Sequence, residues 1–265
     1  MKKLLLIIFV FGIFTSCEDV IDVELNDAPP RLVVEANINL LKDGTSNATV
    51  KLTTTAPFFN NGVPFVSDAL VTITDENNTL FTFDYQTDGI YYSTFLPQPD
   101  VDYTLKIISK DETYTATEKL YSVAPLEFVE QRDDGGFTGE NIELKVFFTD
   151  PANEDNFYLF EGLSVRGDDI DVYSDEFYNG NTIFGYYLVE NLAPTDKVQF
   201  NLYGVSEAYY NFMFILLQQT DGGGGPFETQ PATVRGNIVN ESNVANFPLG
   251  YFRISEVSTI YYTIQ

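Results

Sequence analysis

The chain has 265 residues and a formal net charge of −25, from 39 acidic and 14 basic residues. Nucleic-acid binding depends on a basic surface that neutralises phosphates, so this charge argues against a nucleic-acid partner. The sequence contains no histidine and one cysteine, Cys17. It therefore lacks the groups for Ser-His-Asp or Cys-His catalysis, histidine-ligated metals, disulfides and thiolate zinc sites. Carboxylate chemistry remains, either as acid/base pairs or as calcium ligands.

The amino-terminal segment has the organisation of an export signal. Two lysines precede an apolar run over residues 4–14, which is about half the roughly 20 residues that a membrane-spanning helix needs. Residues 14–17 then resemble a bacterial lipobox of the kind found in Bacteroidetes. We predict a lipoprotein signal peptide over residues 1–16, with Cys17 as the acylated first residue of the mature protein. An ordinary signal peptide followed by a chance cysteine is the alternative.

The residues after the cysteine bear on localisation. Glu18 and Asp19 follow at once and resemble the surface-export signal of Bacteroidetes lipoproteins. We expect a protein held at the outer membrane by its N-terminal lipid, with the cell-surface side favoured over the periplasmic side. Residues 17–30 are acidic and end in two prolines, which predicts a tether between the anchor and the folded body.

Residues 31–122 are predicted to form an immunoglobulin-like β-sandwich domain. Seven short segments alternate apolar and polar residues at roughly 8–12-residue spacing, with turn residues between them. The loop aromatics Phe58, Phe59 and Phe65 form either an exposed binding tip or a small satellite cluster, and the cluster is favoured. The predicted strands are 31–38, 49–54, 69–74, 80–85, 90–95, 103–109 and 113–120.

Residues 123–265 are predicted to form a second β-sandwich-like domain that carries one packed helix. The boundary is the Val-Ala-Pro sequence at 123–125, and residues 133–136 are predicted to form a turn. The final residues 259–265 are expected to pair with the sheet. The other predicted strands are 126–130, 141–149, 156–166, 182–189, 197–205, 234–239 and 249–256.

The helix is predicted over residues 206–219. Ser206 is a suitable N-cap, and Tyr209, Met213 and Leu216 recur at helical spacing. This stripe favours packing on the second sheet, and a partner-binding helix is the alternative. Gly222–Gly225 follow the helix but lack the Gly-Lys-Ser/Thr ending of a phosphate loop, so a connector is predicted.

Residues 168–176 hold five acidic side chains within nine positions. Asp168, Asp169, Asp171 and Asp175 are the densest group of candidate metal ligands, and calcium is the one candidate cofactor. A solvated acidic loop is the favoured interpretation. The spacing does not match an EF-hand, because Tyr173 stands where a third ligand is needed.

Taken in order, several segments resemble the DUF4249 family of Bacteroidetes outer-membrane lipoproteins. The resemblance spans nearly the whole chain and implies companions of TonB-dependent outer-membrane receptors, with no catalytic activity and no functional residues to carry over. Its segments are Cys17 with its lipobox and residues 32–35, 68–73, 89–92, 103–107, 148–151, 236–240 and 249–252.

From the lipobox, the two β-rich domains and the family resemblance, we therefore expect a non-enzymatic accessory or binding subunit of a TonB-dependent transporter. A surface glycan- or ligand-binding module independent of a transporter is the alternative, since Tyr and Phe rings can stack on sugars. An enzyme would have only carboxylates as its acid/base groups.

Overall fold

The computed structural model describes residues 29–57, 62–136, 138–220 and 233–265. The predicted signal peptide lies outside these ranges, as do Cys17, Glu18 and Asp19, the loop residues Phe58 and Phe59, and Gly222–Gly225.

The described chain is mainly β, as predicted, with fifteen strands and one helix in these ranges. The strands are β1 Leu32–Leu41, β2 Ser46–Thr54, β3 Leu70–Asp75, β4 Leu80–Tyr85, β5 Ile90–Ser93, β6 Asp102–Ser109, β7 Glu112–Tyr121, β8 Leu126–Gly135, β9 Asn141–Thr149, β10 Phe157–Ser164, β11 Gly167–Ser174, β12 Thr182–Tyr187, β13 Lys197–Val205, β14 Val239–Asn240 and β15 Leu249–Thr263, and the helix is α1 Glu207–Thr220.

The first sandwich packs the sheet β15-β1-β2-β5 against the sheet β4-β3-β6-β7-β14. Strand β4 also pairs with β5 and so connects the two sheets. In β6, buried and exposed residues alternate without exception, which is the pattern of a strand with one face on a core. That core contains Val34, Val50, Ile73, Leu105 and Phe252.

The second sandwich packs the three-stranded sheet β12-β9-β8 against β11-β10-β13 and the second half of β15. Its core is rich in aromatic rings, among them Phe148, Phe160 and Phe200. Gly185 allows one close approach, because a Cβ there would lie 2.5 Å from the ring of Phe160. The aromatic packing in this core therefore requires a glycine at position 185, where any side chain would clash with Phe160.

Helix α1 forms a third layer on the outer face of the larger sheet. The Ser206 hydroxyl accepts a hydrogen bond from the Tyr209 N–H at 3.1 Å, so Ser206 caps the helix as predicted. Tyr209 and Met213 are buried against residues such as Leu159 and Tyr203 of the sheet. The predicted packed helix is confirmed.

Strand β15 belongs to both sandwiches. Residues Leu249–Val257 pair in parallel with β1, and Val257–Thr263 pair antiparallel with β13. Because side chains alternate along a strand, one face of β15 serves both cores in turn. Phe252 and Ile254 enter the first core, and Ile260 and Tyr262 pack against the second.

Polar residues occupy this face of β15 between the two cores, where the connection from β7 to β8 crosses it. Glu256 Oε2 accepts a hydrogen bond from the Val123 N–H at 3.3 Å. Ser258 Oγ accepts one from the Leu126 N–H at 2.8 Å. These bonds satisfy backbone donors of a segment that has few strand partners of its own.

The structure corrects several local predictions. The predicted segments 249–256 and 259–265 are joined in one strand that ends at Thr263, and its first part pairs with β1 of the first sandwich. Strand β14 is short and pairs with β7, also in the first sandwich. The acidic stretch forms strand β11 instead of a loop, because it pairs along its length with β10. The predicted turn at 133–136 is mostly part of β8, which continues past a bulge to Gly135.

Because β15 links both cores, we expect the two sandwiches to unfold in one transition. Phe252→Ala in the first core and Phe200→Ala in the second should each cost about 3–5 kcal/mol and lower the midpoint of the same transition. Thermal denaturation followed by circular dichroism and by calorimetry measures this.

Leu80→Ala is the matched control, since Leu80 is 62% exposed and its truncation should cost about 0.5 kcal/mol or less. Two resolved transitions, one shifted by each core substitution, would contradict the coupling.

Candidate functional site

A row of three phenylalanines crosses the outer face of the three-stranded sheet. Phe128 of β8 pairs with Phe147 of β9, which pairs in turn with Phe184 of β12. The rings of Phe128 and Phe147 are stacked, with centroids 4.6 Å apart and planes 11° apart. The Phe147 and Phe184 centroids are 5.4 Å apart. We call this set the phenylalanine row.

The phenylalanine row departs from the usual pattern of such a sheet. In β9, Leu144, Val146 and Phe148 point into the core, so Phe147 lies on the opposite face. That face of an antiparallel sheet is normally polar when no further layer covers it. Phe128 is nevertheless 49% exposed and Phe184 40% exposed. A contiguous exposed apolar patch of this kind is typical of an interaction surface.

Charged and hydroxyl groups lie directly beside the phenylalanine row. Lys145 precedes Phe147 by two residues in β9 and lies on the same face. Its Nζ is 4.9 Å from the Phe184 ring centroid. The same Nζ is 3.4 Å from Glu143 Oε1. Tyr186 donates a hydrogen bond from its hydroxyl to Glu143 Oε2 at 2.9 Å. The face therefore combines an apolar platform with a fixed polar network.

The Glu143 carboxylate is held in its charged form by this network. Burial acts to raise the pKa of Glu143, but the hydrogen bonds from Tyr186 and Lys145 and the charge of Lys145 act to lower it and prevail. The net pKa lies below its ordinary value. At neutral pH the face thus presents an ionised carboxylate and an ammonium group as fixed charges.

The outward side of helix α1 is a second exposed apolar surface. Tyr210 packs between Phe157 and Phe214, with centroid distances of 5.4 Å and 5.9 Å. Phe214 and Ile215 are exposed. The helix therefore packs on the sheet and also leaves aromatic and aliphatic side chains open to solvent.

The structure does not gather the four candidate calcium ligands into one site. Asp169 and Asp171 lie on one face of β11 and Asp168 on the other, because side chains alternate along a strand. Asp175 is buried beyond the strand end, where its carboxylate accepts hydrogen bonds from Asn156 N and Asn179 Nδ2. Within the ranges that the structure describes, no group of three or more carboxylates is arranged to hold a metal ion.

Most of the remaining predicted residues lie outside the part of the chain that the structure describes. Cys17, Glu18 and Asp19 lie outside the described ranges, and so do two of the three loop aromatics. Phe65, the third, is exposed and forms an isolated bridge with Thr53. The phenylalanine row was not predicted. Its only signal in the sequence is Phe147, which occupies an outward position in the clear alternation of residues 141–149.

In the part of the chain that is described, no helix is both long enough and apolar enough to cross a bilayer.

Comparison with family models matches residues 18–260 to a family described as "Domain of unknown function (DUF4249)". No curated protein sequence matches the chain. Among solved structures, a two-domain fibronectin type III segment of chicken tenascin is 16% identical, with 66% of this chain and 90% of that chain covered and a TM-score of 0.22.

A chain of a cytokine receptor complex is 13% identical, with 68% and 86% covered and a TM-score of 0.27. We infer no structural or functional relationship from TM-scores this low. The assignment of two β-sandwiches rests on the strand pairing.

The polar network predicts a measurable pKa change. Tyr186→Phe removes a hydrogen bond to the Glu143 carboxylate, so the pKa of Glu143 should rise toward its ordinary value of 4.5. A depressed folded-state pKa stabilises the fold above the unfolded-state pKa, and this is lost as pH falls through the folded-state value. The free energy of unfolding of the variant should therefore fall by about 0.5–1.5 kcal/mol at pH 7. The loss should be much smaller at a pH below the folded-state pKa of Glu143.

Carboxyl NMR titration measures the pKa of Glu143. Urea denaturation at pH 7 and at a pH below that pKa measures the free energy of unfolding. Tyr178→Phe, at an exposed tyrosine on a turn, is the control. An unchanged Glu143 titration in the Tyr186 variant would refute the network as described.

Proposed function

The chain belongs to the DUF4249 family, and from this premise we propose that it is a lipid-anchored outer-membrane protein that serves a TonB-dependent transporter. It acts as a non-enzymatic accessory or binding subunit on the cell-surface side. The observation that supports this role best is the phenylalanine row, an exposed aromatic surface on a sheet that no further layer of the described chain covers. Aromatic side chains are enriched where protein partners bind.

The anchor favours a partner in the same membrane. Residues 17–30 separate Cys17 from the first strand, and a fully extended segment of that length spans about 50 Å. The lipid would thus keep the body within that distance of the membrane, which raises its effective concentration near any outer-membrane protein. The net charge of −25 disfavours contact with anionic lipid, so the exposed surfaces remain available.

Recognition of a surface glycan is the second candidate function. The observation that favours it is the polar network of Lys145, Glu143 and Tyr186 beside the stacked rings. A sugar ring can pack its apolar face on an aromatic platform while neighbouring polar groups bind its hydroxyls. This role uses the same face as the transporter contact, so the two can be compared with one set of variants.

The anchor is tested by Cys17→Ala. Without the thiol no acyl chains can be attached, and each buried CH₂ of a chain contributes ~0.8 kcal/mol to membrane binding. The variant should leave the outer-membrane fraction and lose incorporation of a palmitate analogue, whereas Ser16→Ala should keep both. Membrane retention of the Cys17 variant, or absence of label in the wild type, would rule the anchor out.

The contact surface is tested by the double variant Phe147→Ser, Phe184→Ser. We expect cross-linking in intact cells, with mass spectrometry, to recover a TonB-dependent receptor with the wild type. Recovery should fall about tenfold or more with the double variant, because central aromatic residues dominate interface energies. Tyr261→Ser is the control, since Tyr261 is 72% exposed on the opposite outer face of the second sandwich.

A glycan array run with the same three proteins separates the two functions. Glycan binding that the double variant loses, without recovery of a receptor, would support the second candidate instead. Equal receptor recovery by all three proteins would exclude the phenylalanine row as the contact, and recovery by none would refute the transporter role.

A further inference from the structure

A groove of about 580 Å³ lies between helix α1 and the first parts of strands β1 and β15. Val33 and Tyr251 contribute to its floor, and Phe212, Met213 and Leu216 of the helix contribute to its wall. These side chains are largely apolar, and the volume is within the range of pockets that hold small organic ligands. The groove therefore suits the apolar part of a small molecule.

Arg253 does not line the groove itself but neighbours three residues that do. Its partner in the parallel ladder is Asn37, which lines the groove. Tyr209 also lines the groove, and its ring centroid is 5.5 Å from Arg253 Cζ. Tyr251 precedes Arg253 by two positions, so both side chains leave β15 on the same face. On the other side, the Tyr203 ring lies 4.5 Å from Arg253 Cζ.

The Arg253 guanidinium forms no direct ion pair within the described ranges, and the nearby Glu161 carboxylate is instead bound by the Tyr203 hydroxyl at 2.9 Å. The residue is 5% exposed, and its Nε and Nη1 atoms have no hydrogen-bond partner among the described residues. None of the ion pairs found among those residues includes it. A buried charge is costly unless it is paired, and contact with two tyrosine rings and a hydrogen bond with Tyr209 offset only part of that cost. An anion here would supply the missing acceptors.

Two more buried polar atoms extend this region along the same face. Ser255 Oγ and Asn39 Oδ1 are also without hydrogen-bond partners among the described residues, and the two residues pair with each other across the ladder. Most buried polar atoms in folded proteins are hydrogen-bonded, so a group of unpaired atoms next to a cavity calls for an explanation. A bound ligand with a polar head is one that fits the position.

We propose that this groove binds a small amphipathic monocarboxylate, with its carboxylate on Arg253 and its hydrocarbon part against helix α1. Glu35 also lines the groove and forms an ion pair with Lys51 at 3.5 Å. The Glu35 side chain is half exposed, so this pair lies at the solvent side of the groove. Because Lys51 is already paired with Glu35 and no basic residue of the described chain lines the groove, a second carboxylate would find no cation there, so the groove favours monoanions over dicarboxylates.

Calorimetric titration of the full chain with decanoate, decanol and sebacate tests the proposal. The wild type should bind decanoate about tenfold or more tightly than the neutral alcohol, and more tightly than the dicarboxylate, because only decanoate satisfies both ends. Arg253→Met should abolish the preference for decanoate over decanol, and Arg253→Lys should keep part of it. Leu216→Trp, which fills the groove, should weaken binding of both.

Absence of decanoate binding, equal affinity for decanoate and decanol, or unchanged decanoate binding by Arg253→Met would overturn the proposal. If the methionine variant does not fold, the ligand preference of the wild type and the effect of Leu216→Trp still decide. These outcomes do not depend on the phenylalanine row or on a transporter.

Discussion

The backbone hydrogen bonds of strand β15 hold the two sandwiches together. Its first part extends the sheet of the first sandwich through β1, and its last part extends that of the second through β13. Phe252 and Ile260 lie on one face of the strand but in different cores. A strand shared in this way cannot leave one core without disturbing the other, so the relative position of the sandwiches is fixed by a ladder rather than by a flexible linker.

The groove beside helix α1 depends on that arrangement. The opposite face of β15 carries Tyr251, Arg253 and Val257 toward the helix layer, and the groove exists because β1 lies beside β15 under α1. The helix itself is tied to the first sandwich, since Ser206 Oγ donates to Glu118 Oε2 of β7 at 3.3 Å. Burial raises the pKa of Glu118, which makes this junction sensitive to protonation.

The phenylalanine row has a different physical origin. Residues such as Leu144 and Phe148 hold β9 flat against the core, and this leaves Phe147 in the centre of an uncovered face. Leaving apolar surface in water forgoes roughly 25 cal/mol for each Å² that burial would remove. The exposed rings of the phenylalanine row therefore raise the free energy of the unbound protein. A binding partner that covers them would recover that free energy. The transporter and glycan proposals both account for the phenylalanine row, and the proposed lipid anchor favours the first.

Much of the local structure follows from the sequence alone. Period-two alternation placed β4 at residues 80–85 and β9 at residues 141–149 with the observed bounds, and Ser206 marked the start of the helix. The absence of histidine and of a second cysteine limited the available chemistry before any fold was considered. Such properties are local, because each depends on a residue and its near neighbours.

Tertiary structure decided which strands pair, and with them the candidate sites. Alternation says which face a side chain takes, but not which strand lies beside it. The pairing of the acidic stretch with β10 made it a strand, against its loop-like composition. Phe128, Phe147 and Phe184 form a row, and Asn37 meets Arg253, only through the register of distant segments. The sequence by itself determined the elements and their faces, whereas long-range pairing determined the surfaces, since registers are set by the packing of whole cores.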